Sequence, residues 1–362
     1  MKLSYCPTFE RAQKYADAFW NHEIIDRPML AVTAPKRGMT LPTEGVFQNP
    51  RTGYLAAMNE DYEPIFKTFE EVAAATYYGG EAVPLFDINL GPDVYAGYLG
   101  GKLRCVPHSN TTWADAVVED WTGYKAVIDK SPDGYFEKTR RYIQYAVKRS
   151  EGKYLTAMMD LHGNMDAMSA LRGPEDLCYD LVDDPDAVYD ALQSINDTWG
   201  EIYNMVYETS RMAERGGCLG WSPLLCTKRF AVLQCDFICM IGPDMFRKFV
   251  LPSLEREAAQ LDNALYHLDG PDCLKHLDDV LTMKDIDCVQ WVPGDGQPRT
   301  IEWMDVLKKI QKAGKAVWIY DWTAEEIKAR FRELDPALTA FSYNAASQDE
   351  AEELEEYLVK HT

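Results

Sequence analysis

Residues 263–292, NALYHLDGPDCLKHLDDVLTMKDIDCVQWV, hold one complete unit of the fold. An apolar run at 264–268 leads through Gly270 and Pro271 into a segment whose apolar positions, 274, 277, 280 and 281, recur at helical spacing. A second apolar run follows at 286–292. Strand, helix and strand in so short a span imply parallel neighbours with the helix packed on the sheet.

Outward from this unit the pattern repeats. Segments at 132–150, 185–215, 243–263, 301–313 and 324–333 read as helices, and apolar runs at 154–160, 230–236, 315–320 and 338–343 as further strands. Pro185 and Pro243 stand where a first helical turn tolerates a missing N–H. Thr323 with Glu326, and Ser347 with Glu350, read as capping boxes. Upstream, 8–23 and 60–78 are helical, DRPMLAVTAP is a strand entered through Pro28, and AVPLFDINLGP (82–92) is a buried strand closed by a Gly-Pro turn. Between them, Lys36 to Gly53 reads as a long loop, either ordered over a ligand mouth or a loose excursion.

The tally is about eight strands. An open doubly wound sheet of this length would need two domains and a visible linker, and no Ser-rich or Pro-rich linker occurs. Closure removes both sheet edges. The expected fold is therefore α/β, a single (β/α)8 TIM barrel with an N-terminal helical and loop extension. Residues 1–80 hold that extension and the first barrel elements, and 81–362 the rest of the same domain.

The 362 residues are 46% hydrophobic and 26% charged, which excludes a wholly disordered chain. Against 58 Asp and Glu stand 37 Lys and Arg, a formal charge of −21 that repels nucleic acid. The richest basic stretch, Lys138 to Lys153, alternates with aromatics and acids as a helix surface does. With no signal sequence and no long apolar run, a cytoplasmic protein without a membrane span is expected. The nine cysteines contain no CxxC pair, so neither a disulfide framework nor a zinc-finger signature is expected. No glycine cradle for nucleotide phosphates is present, since GYLGGKL is not followed by a helix start.

In a barrel the residues that finish each strand converge on one face, which makes them the candidates for chemistry. Asp160, His162 and Asn164 follow one strand and precede a helix. The alternative is that they cap the turn. Gln234 and Asp236, two apart, are expected to point to one side, with Asp236 as acid, base or ligand or as a partner of loop amides. Cys239 is expected to pack under the following loop, the alternative being a nucleophile or ligand. His-Leu-Asp occurs twice. His267 and Asp269 end a strand and reach a shared ligand, whereas His276 and Asp278 lie on a helix in a surface or capping role. Gln290 offers a directional amide, and Trp291 either walls a flat ligand or packs in the core. Tyr320 and Tyr343 close the set, and the high aromatic content fits a lined cavity or a packed shell.

These motifs, NLGPDVYAGYLG, DLHGNMDAMSALRG, QCDFICMIGPDMFRKFVLP, YHLDGPDCLKHLD and QWVPGDG, resemble one branch of the uroporphyrinogen decarboxylase superfamily, which also contains corrinoid-dependent methyltransferases. The likeness runs from about 83 to 360. It implies a single (β/α)8 barrel and two alternative activities. The decarboxylases bind their tetracarboxylate with N-terminal arginines and an aspartate. Arg27 and Arg37 occupy that region here, without the RQAG-like run of those enzymes, and Asp160 or Asp236 would be the aspartate. The methyltransferases hold zinc through His-x-Cys and a later cysteine. His267 falls at that histidine, but Asp269 replaces the cysteine, and Ser342, Tyr343 and Asn344 stand where the later one would be. The resemblance thus implies either a harder divalent metal site at His267 and Asp269, completed by Asp236 or Asp160, or acid–base work without metal. The leading expectation is methyl transfer between a small molecule and a corrinoid carried by a partner protein; related barrels often pair as homodimers, and the sequence leaves the assembly open. Porphyrinogen-type decarboxylation without a cofactor, or tetrapyrrole binding without catalysis, are the alternatives.

Overall fold

The computed structural model describes residues 2–42, 49–105 and 110–362. The strands are β1 (Met29–Pro35), β2 (Thr76–Gly80), β3 (Leu85–Phe86), β4 (Lys102–Cys105), β5 (Thr112–Asp115), β6 (Leu155–Thr156), β7 (Phe230–Leu233), β8 (Asn263–Asp269), β9 (Cys288–Val292), β10 (Ala316–Ile319) and β11 (Thr339–Asn344). The helices are α1 (Phe9–Trp20), α2 (Pro50–Asn59), α3 (Glu63–Ala75), α4 (Val94–Tyr98), α5 (Tyr135–Ser150), α6 (Asn164–Arg172), α7 (Pro174–Asp183) and α8 (Pro185–Thr209). They continue with α9 (Pro243–Met245), α10 (Leu251–Ala258), α11 (Leu277–Thr282), α12 (Met304–Lys312), α13 (Ala324–Arg330) and α14 (Gln348–His361).

Seven strands form one sheet in the order β2-β1-β11-β10-β9-β8-β7, parallel except for β2. Strands β3 and β6 pair parallel in a separate two-stranded unit. Backbone bonds continue past the carboxyl end of β6: Ala157 donates to Phe86, and Met158 to the Leu219 carbonyl ahead of β7. Every one of the eight expected strands is present. The ladders among the described residues do not close into a ring, so the observed architecture is an α/β fold with a large, mostly parallel sheet and flanking helices.

Two antiparallel additions depart from the expected parallel pattern. The helix expected over 60–78 ends at Ala75, and the chain turns directly into β2 against β1. The chain leaves β2 through Gly80, at φ +55°, where a Cβ would lie 2.0 Å from the Leu30 carbonyl oxygen. Strands β4 and β5 form a hairpin. Of the loop expected over Lys36–Gly53, residues 43–48 lie outside the described residues, and its last part is already helix α2. The helix expected over 243–263 is α9 and α10 joined by a π turn at Phe246–Val250. Pro252, which lacks the N–H that a regular turn would use, accounts for the widening.

The helices cover the sheet through their apolar stripes. Phe86 of β3 stacks on Phe66 of α3 with centroids 4.0 Å apart, and Tyr142 of α5 packs edge-on against both. The basic face of α5 meets acids of the preceding helices, Arg149 reaching Glu70 at 2.8 Å and Lys153, just beyond α5, reaching it at 2.6 Å. All nine cysteines are free. Among the described residues no helix is long and apolar enough to cross a membrane.

Candidate functional site

Parallel strands deliver their carboxyl ends to one side of the sheet. Asp87 follows β3, Asp160 and His162 follow β6, Gln234 and Asp236 follow β7, His267 and Asp269 end β8, Gln290 lies in β9 and Tyr320 follows β10. The densest group forms where the segments after β6 and β7 meet.

His162 is held from both nitrogens. Nε2 lies 3.0 Å from Asp160 Oδ2 and Nδ1 lies 3.2 Å from Asp166 Oδ2. The amide of Gln234 contacts Asp160 Oδ1 at 2.6 Å and also touches His162 Nε2. Burial alone would strip the proton from His162, but the two aspartates outweigh it and hold the imidazole well above its ordinary pKa. Asp166 is the counterpart. Burial favours its neutral acid, yet His162 and the amides of Phe237 and Asp236, at 2.9 and 3.0 Å, hold it below the ordinary range.

Asp236 does not continue β7 as strand alternation implied. It opens a 3-10 turn, Asp236–Met240, whose first amides are capped by Asp166. Its carboxylate is open to solvent, but on the floor of a cleft. Burial by the walls and the neighbouring Asp166 push it up to about 6, offset by His162 and His267. Asn164, buried and at φ +42°, begins α6 and donates to the Gln234 carbonyl at 3.1 Å and to Glu257 Oε1 at 3.2 Å. Gly163 permits that approach, since a Cβ there would lie 2.8 Å from Glu257 Oε1.

His267 stands beside Gln290 in the β8–β9 register, and its Nδ1 donates to Gln290 Oε1 at 2.7 Å. That bond leaves Nε2 unprotonated in the neutral ring, 4.0 Å from Asp269 Oδ2. Trp221 packs edge-on against His267 and also touches Trp318, whose indole N–H donates to Ser342 Oγ at 2.9 Å. Asp269 and Tyr320 line a cleft of about 460 Å³ with Gly294, Arg299 and Asp321. His162, Asp166 and Asp236 line another of about 520 Å³, with Trp113 and Met240.

Several expected site residues stand elsewhere. Trp291 is fully buried and packs edge-on against Trp303 in the helix layer, because it alternates with the inward Gln290. Tyr343 faces α14 and donates to Glu350 at 2.5 Å. Arg37 is on the surface, paired with Asp349 and Glu352. Arg27 is buried in a bidentate pair with Glu81, both bonds 2.8 Å, so neither arginine is free for a substrate. Cys239 is exposed and lines the larger cleft rather than packing under a loop. His276 is buried, donating to the Ile238 carbonyl at 3.0 Å, while Asp278 is exposed as expected.

Metal ligation shifts likewise. His267 and Asp269 gain no third ligand within reach among the described residues. His162, Asp166 and Asp236 do form such a group, their ligand atoms lying within 4.8 Å of one another. This donor set of one imidazole and two carboxylates suits a borderline or hard divalent ion. Asp166 was not singled out by strand-end reasoning because it sits a helical turn beyond the strand, one turn from His162. The i, i+4 spacing of His162 and Asp166 was its signal. Asp87 was missed too: burial and nearby Asp160 push its carboxyl up to about 6 despite a 3.3 Å bond from Asn89.

Together these features define an α/β protein with a His–carboxylate cluster at the carboxyl ends of its strands. No protein-family model matches the chain, and no curated protein matches its sequence. Among solved structures it is similar to a methyltransferase from Methanosarcina mazei, with 12% identity over 96% of this chain and 98% of that one and a TM-score of 0.58. At this identity the likeness is one of fold.

Proposed function

We propose that the protein is a methyltransferase-like enzyme of the uroporphyrinogen decarboxylase superfamily. In this reading its sheet completes a (β/α)8 ring, and the enzyme acts on a small molecule bound over the His162 cluster. The observation that carries the reading is the convergence of Asp160 and Asp166 on a single imidazole with Asp236 beside them. Carboxylates gathered this closely need a cation between them, supplied by a proton on His162 or by a divalent ion in its place.

His162, Asp166 and Asp236 would hold such an ion, which when bound lowers the pKa of a substrate ligand and so generates a nucleophile at neutral pH. The chain's own groups do the rest. Without the ion, His162 instead stores a proton between two aspartates and Asp236 exchanges one near neutrality. Gln234 orients Asp160, and Asn164 fixes the loop that carries His162. Gln290 holds the tautomer of His267. The cleft suits a small ligand and not a macrocycle, so a corrin ring would be presented at its mouth by a partner protein. Porphyrinogen decarboxylation fits less well, because no lysine or arginine lines this cleft among the described residues.

Elemental analysis after growth with zinc, cobalt or manganese, joined to a spectral assay of methyl transfer with free methylcobalamin, tests the proposal. About one ion per chain is expected, reduced at least about tenfold in His162→Ala and unchanged in His267→Ala. Metal-free protein that releases carbon dioxide from a porphyrinogen would overturn it.

A further inference from the structure

We infer that the exposed face of α7 and the first turns of α8 is a docking surface for a partner protein whose own contact face sets lysines and arginines around an apolar patch. The inference rests on the proposed function only in asking that a partner reach the cleft mouth, and it names the surface and the chemistry by which it does so.

From Gly173 to Ser210 the chain carries ten aspartates and glutamates and no lysine or arginine. Acidic stretches occur elsewhere, but the fold treats them differently. On α14, Asp349, Glu352, Glu353 and Glu355 are each paired with a base from another element, Arg37, Lys328 or Arg27. Glu175, Asp183, Asp186 and Asp190 form no ion pair among the described residues. Arg172, the base just before α7, is already held by Asp180 at 2.7 Å and Asp176 at 3.5 Å. Among these unmatched acids stand Tyr179, 61% exposed, Val182, 68% exposed, and Tyr189. Leu177 and Leu181 take the buried face of α7, so Tyr179 and Val182, three positions apart, share the opposite one. Lys248, over the Phe249 ring beside Tyr189, bounds the patch on the side of the π turn.

Each class of occupant meets this face differently. Nucleic acid and an anionic membrane surface are repelled. A second copy docked about a two-fold axis would set these acids against themselves. A small molecule has no concavity to enter on the outward side of a helix. A cationic and apolar protein face satisfies both features, its bases pairing with the open carboxylates and its apolar centre covering Tyr179 and Val182.

The position of the face ties it to the cleft. Gly173 and Pro174, where α7 begins, line the cleft over His162, and Val182 lies roughly 12 Å further along the helix. Between the hairpin and α7, Val117 is exposed and donates its amide to the Leu171 carbonyl. A standard interface covers about 800 Å² on each side, roughly 30 Å across, so a protein centred on α7 also covers the cleft mouth.

The probe is an amphipathic helical peptide of lysine and leucine, titrated calorimetrically into the purified protein beside two relatives, one with glutamate for lysine and one with serine for leucine. The lysine–leucine peptide should bind saturably and at least about tenfold more tightly than either relative, since only it offers both features. Tyr179→Ser combined with Val182→Ser should weaken it at least about fivefold. Asp183→Asn combined with Asp190→Asn should weaken it about 3- to 10-fold and flatten its salt dependence. Glu353→Gln on α14 should leave binding unchanged, and thermal denaturation confirms that the variants fold. Metal content and methyl transfer with free methylcobalamin should stay at the wild-type level in every variant, because none of these residues touches the cleft floor. Variants on α7 and α8 that bind the peptide as the wild type does, or a serine relative that binds as tightly as the leucine peptide, overturn the inference. So does a sedimenting dimer that Tyr179→Ser with Val182→Ser dissociates, which assigns the face to a second copy. Any of these outcomes with metal content and methyl transfer intact removes the docking surface alone. Peptide discrimination in a protein that holds no metal and transfers no methyl group would sink the proposed function and leave the surface standing.

Discussion

Glu257 of α10 shows how a single side chain under the site is tuned. It is fully buried, and its hydrogen-bond donor is the Asn164 amide, 3.2 Å away. Burial pushes its carboxyl up to about 8, with Asn164 opposing and nearby Asp166 adding to the rise. The folded protein therefore keeps a proton on Glu257 at neutral pH, whereas the unfolded chain gives it up near pH 4.5. Between those values the folded state binds more protons, so this residue's contribution to stability falls as pH rises and levels off above about 8. Glu257→Gln removes that slope. Urea unfolding at pH 8 should find the variant more stable than the wild type by roughly 1–4 kcal/mol, with the advantage gone near pH 4.5. At this scale the sequence was informative about strand ends and poor beyond them. His162, Gln234 and Gln290 fall where polar residues closing apolar runs should, but Asp236 leaves the strand for a 3-10 turn. Trp291 and Tyr343 face outward because one residue of alternation decides which layer a side chain enters.

At the scale of elements, the eight strands were legible because each is a continuous apolar run, as a sheet covered by helices requires. The antiparallel additions were not. The TYYGG of β2 follows helical periodicity without a break, and its glycines mark a turn fixed by contact with β1 rather than by any local preference. KLRC and TWAD of the hairpin are too short and too polar to register as strands. Capping chemistry was the more readable signal, and the structure grades it. Thr323 and Glu326 make the full reciprocal box at the start of α13. Ser347 accepts from the Glu350 amide at 3.2 Å, but the Glu350 side chain turns instead to the Ala346 amide and Tyr343. Thr323→Ala should cost about 1 kcal/mol in urea unfolding, within the usual range for a lost cap. Ser347→Ala should cost less than Thr323→Ala, since the carboxylate half of its motif is anchored independently; an equal or larger loss would show that the Glu350 contacts depend on the serine.

Early and late elements of the chain meet at one seam of the molecule. Strand β1 lies between β2 and β11, and α14 packs behind it. Arg27, immediately before β1, is buried there. It bonds both oxygens of Glu81, reaches Glu355 of α14 at 2.9 Å and donates to the Pro28 carbonyl at 2.9 Å, while Glu81 also accepts the Leu30 amide. The resemblance to porphyrinogen enzymes implied a substrate-binding arginine in this region. The structure instead places Arg27 as a clasp between an early strand and the last helix. Removing Glu81 leaves the buried Arg27 only Glu355 as a carboxylate partner and takes the acceptor from the Leu30 amide, so Glu81→Ala should destabilise the protein by about 3 kcal/mol. Because the clasp joins sequence-distant elements, the loss should move the urea midpoint of the main transition with little change in its slope, not fray one terminus. Arg37→Ala is the control: Arg37 pairs with α14 in full contact with water, where screening removes most of the attraction. Its urea midpoint should match that of the wild type. Equal shifts for the two variants would mean that charge between β1 and α14, rather than burial of Arg27, holds the seam closed.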